Sequence, residues 1–468
     1  MAIRRVIVTA LSVSFLFACG HKNEAGDDDV DANPGPADAC TDNLSCFVVD
    51  CASKGLPSTS ISGTVFAPNG TLPLFGVNVY VPASDPGPLA PGVTCDRCGS
   101  LPGGAITATV TDEAGNFTLQ GVPATADVPI VIQVGKWRRQ FTVANIAACQ
   151  DTAVDNVSTT LPKNRSEGDM PQIAITTGNA DSLECLVRKL GIEDTEFGTT
   201  GDARAVHLYN GNGASKYAAG FAGGSGAFAP ALPFWNARSS LDTYDIVMLS
   251  CEGDQNINGS GTNGATINAK PQSSLDALHD YAGAGGRVFM SHWHNVWIGG
   301  DKANPTSAYG LADWKPIVTW AFGAAQNETT QLTTVDETVP KGTSFATWLQ
   351  NVGASPTNRG EVTVSQPRYT AAAADPTKSE RWVYVDPTKS TPAGKVSVQN
   401  VLFTTPNDLP ADQRCGKVVF SDMHVASGST SAGGSAFPTG CATGDLTPQE
   451  KALAFIFFDI ASCVAVLQ

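Results

Sequence analysis

From residue 170 onward, short and almost uninterrupted apolar runs alternate with segments whose apolar residues recur at helical spacing. This constrains the fold more than any other feature of the chain. PQIAITTG (171–178), RAVHLYNG (204–211), LDTYDIVMLSCEG (241–253), RVFMSHWH (287–294) and CGKVVFSDMHV (415–425) each carry a strand with little or no polar face. Such strands must be covered on both sides, which is the condition of a mostly parallel sheet between helices. DSLECLVRKLG (181–191) and SSLDALHDYAGAGG (273–286) supply helices between strands. In the first, Asp181 suits an N-cap, Glu184 its partner three residues on, and Gly191 the stop. At the end of the chain Thr447 and Glu450 frame a capping box, with Pro448 at the first helical position of a long apolar helix. WKPIVTWAFG (314–323) and FATWLQNVG (345–353) read as short helices. EVTVSQPRY, RWVYVD and VQNVLFTTP read as strands of an antiparallel extension. The fold class is therefore α/β.

The grammar before residue 145 is different. ISGTVFAPNG, GVNVYVPAS, AITATVTDEAG, NFTLQGVP and VPIVIQV keep a period of two and are punctuated by Gly, Pro and Asn-Gly. Residues 58–144 thus read as an all-β sandwich, and 145–169 as a polar linker with a possible short strand in VSTTLP. The Lys136-Trp137-Arg138-Arg139 cluster reads as a strand edge. The formal net charge of −15 argues against a nucleic-acid partner, since binding a polyanion relies on clustered Lys and Arg.

The first 18 residues form a charged start followed by an apolar run too short to span a bilayer comfortably. They read as a signal peptide (1–18), and the GHKNEAGDDDVDANPGPADA stretch (20–39) as the core of an acidic tether that spans 19–57. Asp27–Asp29 read as part of a soluble spacer or as an export signal. Of the chain's 12 cysteines, removing Cys19 leaves eleven, an odd number. In an exported protein this predicts disulfides and at least one free thiol. Cys95-Asp-Arg-Cys98 has the spacing of half a zinc site, but no second pair completes it, so structural bridging is expected.

Ligands of open α/β sheets bind beyond the carboxyl ends of the strands. Three such ends carry ionisable groups: Ser250-Cys251-Glu252, Ser291-His292-Trp293-His294, and Ser421-Asp422-Met423-His424. Glu252, His292, His294, Asp422 and His424 are therefore the candidate catalytic residues. On an extended strand His292 and His294 would face the same side and could share a divalent metal, with Glu252, Asp422 or His424 completing it. A histidine beside a carboxylate could instead do acid–base work, or each could be a satisfied strand-end polar group. No cofactor is otherwise indicated. Trp235, Trp293, Trp297, Trp314 and Trp320 could offer a sugar-stacking platform or simply pack the core. The Gly-rich 211–228 stretch lacks a phosphate-loop ending and reads as a surface loop or lid.

Three resemblances follow from these residues. Leu16-Phe17-Ala18-Cys19 resembles the lipobox of bacterial lipoproteins. It implies a lipid on Cys19 and attachment to a membrane, and Gly20 favours outer-membrane sorting. Ile61-Ser-Gly-Thr-Val-Phe, Gly76-Val-Asn-Val-Tyr and Thr111-Asp-Glu-Ala-Gly-Asn-Phe-Thr-Leu-Gln-Gly-Val-Pro123 resemble the carboxypeptidase regulatory-like, transthyretin-related sandwich, an accessory module. Residues 84–104 would be an insertion in it. Tyr244-Asp-Ile-Val-Met-Leu, Leu278 through Gly285-Gly286 to His292, and Gly416-Lys-Val-Val-Phe-Ser-Asp-Met-His424 resemble the class I glutamine amidotransferase-like fold, in its ThuA-like branch. That resemblance covers 170–468, with an insertion at about 300–400, and implies a flavodoxin-like sheet and sugar-linked chemistry at His292 and His424.

The nucleophilic cysteine of true amidotransferases is missing: Met290-Ser291-His292 stands in its place. Cys251 is on another strand and is available for a disulfide. Ser291 could act only with His424 and Asp422 as partners. The expectation is an exported, lipid-anchored envelope protein that binds a glycan or a protein partner, or whose activity is undetermined. The alternative is a hydrolase or lyase acting on a carbohydrate-like substrate, with a metal as an option.

Overall fold

The central element is a mixed sheet whose middle strands are parallel and apolar on both faces. A computed structural model of the chain describes residues 43–260, 266–323, 329–355, 357–365, 367–425 and 436–464. The signal segment, Cys19 and the Asp27–Asp29 run lie outside the described residues. The short strand Ala229–Pro230 leads into Val206–Asn210, Ile173–Thr176, Ile246–Leu249, Arg287–Ser291 and Gly416–Ser421, all parallel. From Gly416–Ser421 the sheet continues antiparallel through Ser397–Thr405, Glu380–Val385, Gln331–Val335 and Glu361–Val364. The strands expected in 361–406 thus extend the same sheet. Ile246–Leu249, Arg287–Ser291 and Gly416–Ser421 are buried at every position, as strands covered on both faces must be.

Helices Leu183–Lys189, Gln272–Gly283 and Gly342–Asn351 form where helical spacing predicts them. The WKPIVTWAFG segment does not form a helix. It takes a single 3-10 turn, Lys315–Ile317, and then pairs as a strand, Val318–Trp320, against Ala371–Ala374. Its β-branched and aromatic residues fit a pleated surface better than a helix. The last helix, Pro448–Ala461, has the expected capping box between Thr447 and Glu450. It is buried nearly all round, which fits a helix held between two sheets.

Residues 60–153 contribute strands in two further sheets. Ala105–Val110, Asn78–Pro82, Ala126–Val134 and Trp137–Asn145 form an antiparallel four-stranded sheet. The Lys136–Arg139 cluster accordingly opens an edge strand. Asn116–Gln120, Ser60–Thr64 and Asp151–Ala153 form the other sheet. In Asn116–Gln120 burial alternates, with Phe117 and Leu119 inward. These strands share a core with the larger sheet across the last helix. Trp137 lies 5.9 Å from Phe457 and 5.6 Å from Phe458, and Phe75 stacks on Phe455 at 5.9 Å.

Disulfides join Cys51 to Cys149, Cys95 to Cys415, Cys98 to Cys463 and Cys185 to Cys441. Cys95 and Cys98 do not bridge one another. Each ties the segment after Asn78–Pro82 to a different distant part of the chain. Such a set belongs to an oxidising compartment, extracellular or periplasmic. Among the described residues Cys251 is the free cysteine, so it is not in a disulfide. No described helix is long and apolar enough to cross a membrane.

Candidate functional site

The order of the parallel strands explains why the site lies where it does. Taken in chain order, the five principal strands sit as second, first, third, fourth, fifth. The direction of winding reverses between Ile173–Thr176 and Ile246–Leu249, which opens a crevice at their carboxyl ends. Leu249 pairs with Met290, and Ser291 with Ser421, so the residues that follow emerge at one level. Gly178 and Gly213 let the backbones crowd there. A Cβ on Gly178 would lie 2.2 Å from the Cys251 carbonyl oxygen, and one on Gly213 would lie 2.7 Å from Gly178 N.

Cys251, His292 and His424 meet at this level, all buried. Cys251 Sγ lies 3.4 Å from His292 Nδ1, and His424 Nε2 lies 3.2 Å from that same Nδ1. One donor atom from each of the three residues lies within 4.8 Å of the others. Arg368 closes the chain by donating from Nη2 to His424 Nδ1 at 3.1 Å. Because His424 Nδ1 accepts, its proton is assigned to Nε2, which donates to His292 Nδ1. Burial and the neighbouring Arg368 and His292 hold His424 well below the usual histidine range, so it is neutral. Burial pushes the Cys251 thiol up to about 12, although the backbone amides of Trp293 and Gly253 face the sulfur and act the other way.

His292 and His294 do not share a strand face. The strand ends at Ser291, a 3-10 turn spans His292–Asn295, and Val296–Gly299 continues as helix. His292 takes φ +41°, the left-handed region that a histidine seldom adopts. A strand turning into a helix through one such residue is the geometry that presents a nucleophile in elbow motifs; here it presents an imidazole. Trp293 packs on that ring at 4.6 Å and carries Lys302 over its own face at 3.9 Å.

His294 belongs to a second cluster. Its Nδ1 accepts from Trp297 Nε1 at 2.8 Å, and its Nε2 donates to the Ser250 carbonyl at 3.0 Å. Both nitrogens are thus committed to protein. Burial drives its pKa well below the usual value. Glu252 faces away from the first cluster and pairs with Lys270 at 2.8 Å, the two side chains 0 % and 1 % exposed. Asn268 and Asn256 also donate to Glu252 Oε2, at 2.7 and 3.0 Å. Burial raises Glu252 to about 7 and lowers Lys270, each against the pull of its partner.

Asp422 is near His424 in sequence but not bonded to it. Its carboxylate accepts from Thr370 Oγ1 at 2.7 Å and Ala371 N at 2.9 Å, and its carbonyl accepts from Arg368 N at 2.8 Å. It therefore anchors the segment that brings Arg368 to His424. Ser291 donates to Asp181 rather than engaging His424, which removes the Ser291–His424–Asp422 arrangement.

Asp181 is not an N-cap. Ser182 occupies that position without a capping bond, while Asp181 accepts from Ser291 and from Val425 N. Burial raises Asp181 to about 6 and Glu184 to about 8. Trp235, Trp297 and Trp314 are fully buried packing residues. In the Gly-rich 211–228 stretch Tyr217 is buried and its strand pairs with Ala436–Phe437.

Sequence reasoning missed Cys251 as a site residue, and with it Asp181, Glu184, Lys270 and Arg368. Asp181 follows the first strand and the strand-end rule applies to it, so that signal was available. Arg368 comes from the antiparallel extension, and no motif marks it.

No family model and no curated protein matches the chain. Among solved structures, it is similar to a protein described as ThuA-like from Bacteroides uniformis, at 11 % identity and TM-score 0.28, covering 61 % of this chain and 88 % of that one. It is also similar to a type II cohesin–X-dockerin complex of Acetivibrio cellulolyticus, at 16 % identity and TM-score 0.16, covering 31 % and 78 %.

Proposed function

We propose that the protein is an exported envelope protein, lipid-anchored through Cys19 and sorted to the outer membrane, that binds a glycan. In this reading residues 58–144 are a carboxypeptidase regulatory-like sandwich. Residues 170–468 are a flavodoxin-like, ThuA-like domain of the amidotransferase-like class that has lost the cysteine nucleophile. The observation that carries a binding role is the state of the would-be nucleophiles. His292 stands at the elbow, Cys251 is buried with its thiol pushed up to about 12, and Ser291 is bonded to Asp181. A thiol held protonated is a poor nucleophile.

A cavity of about 930 Å³ lined by the part-exposed Phe75, Leu101, Lys136 and Lys341 offers a mix of apolar and polar groups to a sugar. The test is titration calorimetry of the purified protein against a panel of envelope oligosaccharides. Binding that falls at least tenfold in a Phe75→Ala protein that remains folded is expected, its thermal unfolding lowered by the lost packing on Phe455. An inert panel, or a Phe75→Ala protein that binds normally, sinks the reading. Recovery of Cys19→Ala in the soluble fraction checks the anchor separately.

A hydrolase or lyase is the second reading, favoured by one feature. The Arg368–His424–His292 chain ends at a strained turn, close to Asp181 with a pKa of about 6. His292→Ala would then abolish turnover of a glycoside that the wild type cleaves.

A further inference from the structure

We infer that Cys251, His292 and His424 form a three-ligand site for a zinc-class ion, and that Arg368 holds the metal-free form by occupying His424 Nδ1. Two of the three ligand separations match a coordination shell, and the third, between Cys251 and His424, is within 4.8 Å. Zinc bonds of about 2.0–2.1 Å to nitrogen and about 2.3 Å to sulfur give tetrahedral edges of roughly 3.3 Å between nitrogens and roughly 3.6 Å between sulfur and nitrogen. The structure has 3.2 Å between His292 Nδ1 and His424 Nε2, and 3.4 Å between His292 Nδ1 and Cys251 Sγ.

The hydrogen bonding points the same way. With His424 protonated on Nε2, that N–H is directed at the one lone pair of His292 Nδ1, and a Cys251 S–H turned to the same atom, 3.4 Å away, competes for it. One acceptor cannot serve both donors well. An ion removes the conflict, because all three atoms then present lone pairs to it. One sulfur and two imidazoles suit zinc or copper rather than magnesium or calcium. Three protein ligands leave the fourth tetrahedral position to water or another ligand.

Loading has a defined proton balance. Cys251 releases its thiol proton to solvent. The His424 proton moves from Nε2 to Nδ1, where it confronts the Arg368 donor, so Arg368 must withdraw. Arg368 is only half-buried and can do so. His294 takes no part, because Trp297 and the Ser250 carbonyl hold both its nitrogens. This site differs from the His292–His294 pair that sequence spacing suggests. It is also independent of glycan binding, so either reading can fail alone.

The experiment is titration of the chelator-treated, disulfide-intact protein with Co²⁺, followed by displacement with Zn²⁺. One equivalent of Co²⁺ is expected to produce a thiolate-to-cobalt charge-transfer band that Zn²⁺ removes. Cys251→Ser should lose the band, and His292→Ala and His424→Ala should weaken binding at least tenfold. His294→Gln should retain the band, and Arg368→Ala should tighten binding several-fold. A wild-type protein without a saturable band overturns the site whatever the variants do. A band that survives Cys251→Ser overturns it equally, and an Arg368→Ala protein with unchanged affinity overturns the role given to the arginine.

Discussion

Two clusters sit side by side at the carboxyl ends of the same strands and differ in how their polar groups are matched. Around Glu252, Lys270 and His294 the donors have acceptors, in a buried ion pair, two asparagines, a tryptophan N–H and a backbone carbonyl, while Glu252 Oε1 is left without a hydrogen bond, 3.7 Å from His294 Nε2. Around Cys251, His292, His424 and Arg368, two donors face one acceptor and the backbone is strained. The first arrangement specifies a structure. The second is matched poorly as it stands and well once something binds. Adjacent residues, Cys251 and Glu252, serve opposite ends because successive side chains leaving a strand point opposite ways.

The largest effect should come from breaking the matched cluster. Lys270→Met leaves Glu252 buried beside its asparagines without a counter-charge, at a cost of about 3–5 kcal/mol in urea unfolding. Arg368→Met, which strips only a donor from a neutral imidazole, should cost about 1 kcal/mol. Equal costs would dissolve the distinction between the clusters. A Lys270→Met/Glu252→Gln double variant should recover part of the loss, because no buried charge then remains.

Glu184 sharpens the comparison through pH. It is fully buried between Asp181 and Ser250, and its Oε2 has no partner. Its folded pKa of about 8 lies above the ordinary 4.5. The protonated form is therefore the one that folding favours. That contribution is complete below pH 4.5 and is lost as pH rises through about 8. Glu184→Gln should match the wild type at pH 4.5 and exceed it at pH 8.5, by on the order of a few kcal/mol. Parallel stability–pH curves for the two proteins would remove Glu184 from the buried acids.

His294→Gln should cost about 1–3 kcal/mol, since it leaves the Trp297 N–H buried without its acceptor. His424→Leu should cost less, because it removes one of two competing donors and leaves only the half-buried Arg368 to be hydrated instead. Thermal melts of the two variants side by side decide this, and the reverse order would assign the mismatch to the wrong cluster.

The sequence made the strand ends legible because a general rule governs them: parallel apolar strands collect ligands at their carboxyl termini. Glu252, His292 and His424 follow from that rule and from strand adjacency, and Cys251 stands at the same strand end although it reads there as a disulfide partner. What each does there was not legible. The shared face expected of His292 and His294 presumes a strand that runs on, and it stops at Ser291. Asp181 looked like a helix cap because caps and strand-end acids occupy the same stretch of chain; only the position of Ser291 separates them. Arg368 reaches His424 from a segment that Asp422 anchors through Thr370 and Ala371, a contact that no local spacing encodes.

The strain at His292 offers the smallest and most selective test. A non-glycine residue at φ +41° costs on the order of 1 kcal/mol, and asparagine tolerates this region better than histidine. His292→Asn therefore gains backbone stability while losing part of a buried ring. The two terms oppose each other, so thermal unfolding should shift by no more than about 1 kcal/mol. The same substitution removes His292 Nδ1, the atom at which the neighbouring groups converge, and should weaken Co²⁺ binding at Cys251 and His424 at least tenfold. Loss of metal with stability retained is the signature of strain held for a ligand. A loss of several kcal/mol would instead make His292 a packing residue, and the two clusters would differ only in degree.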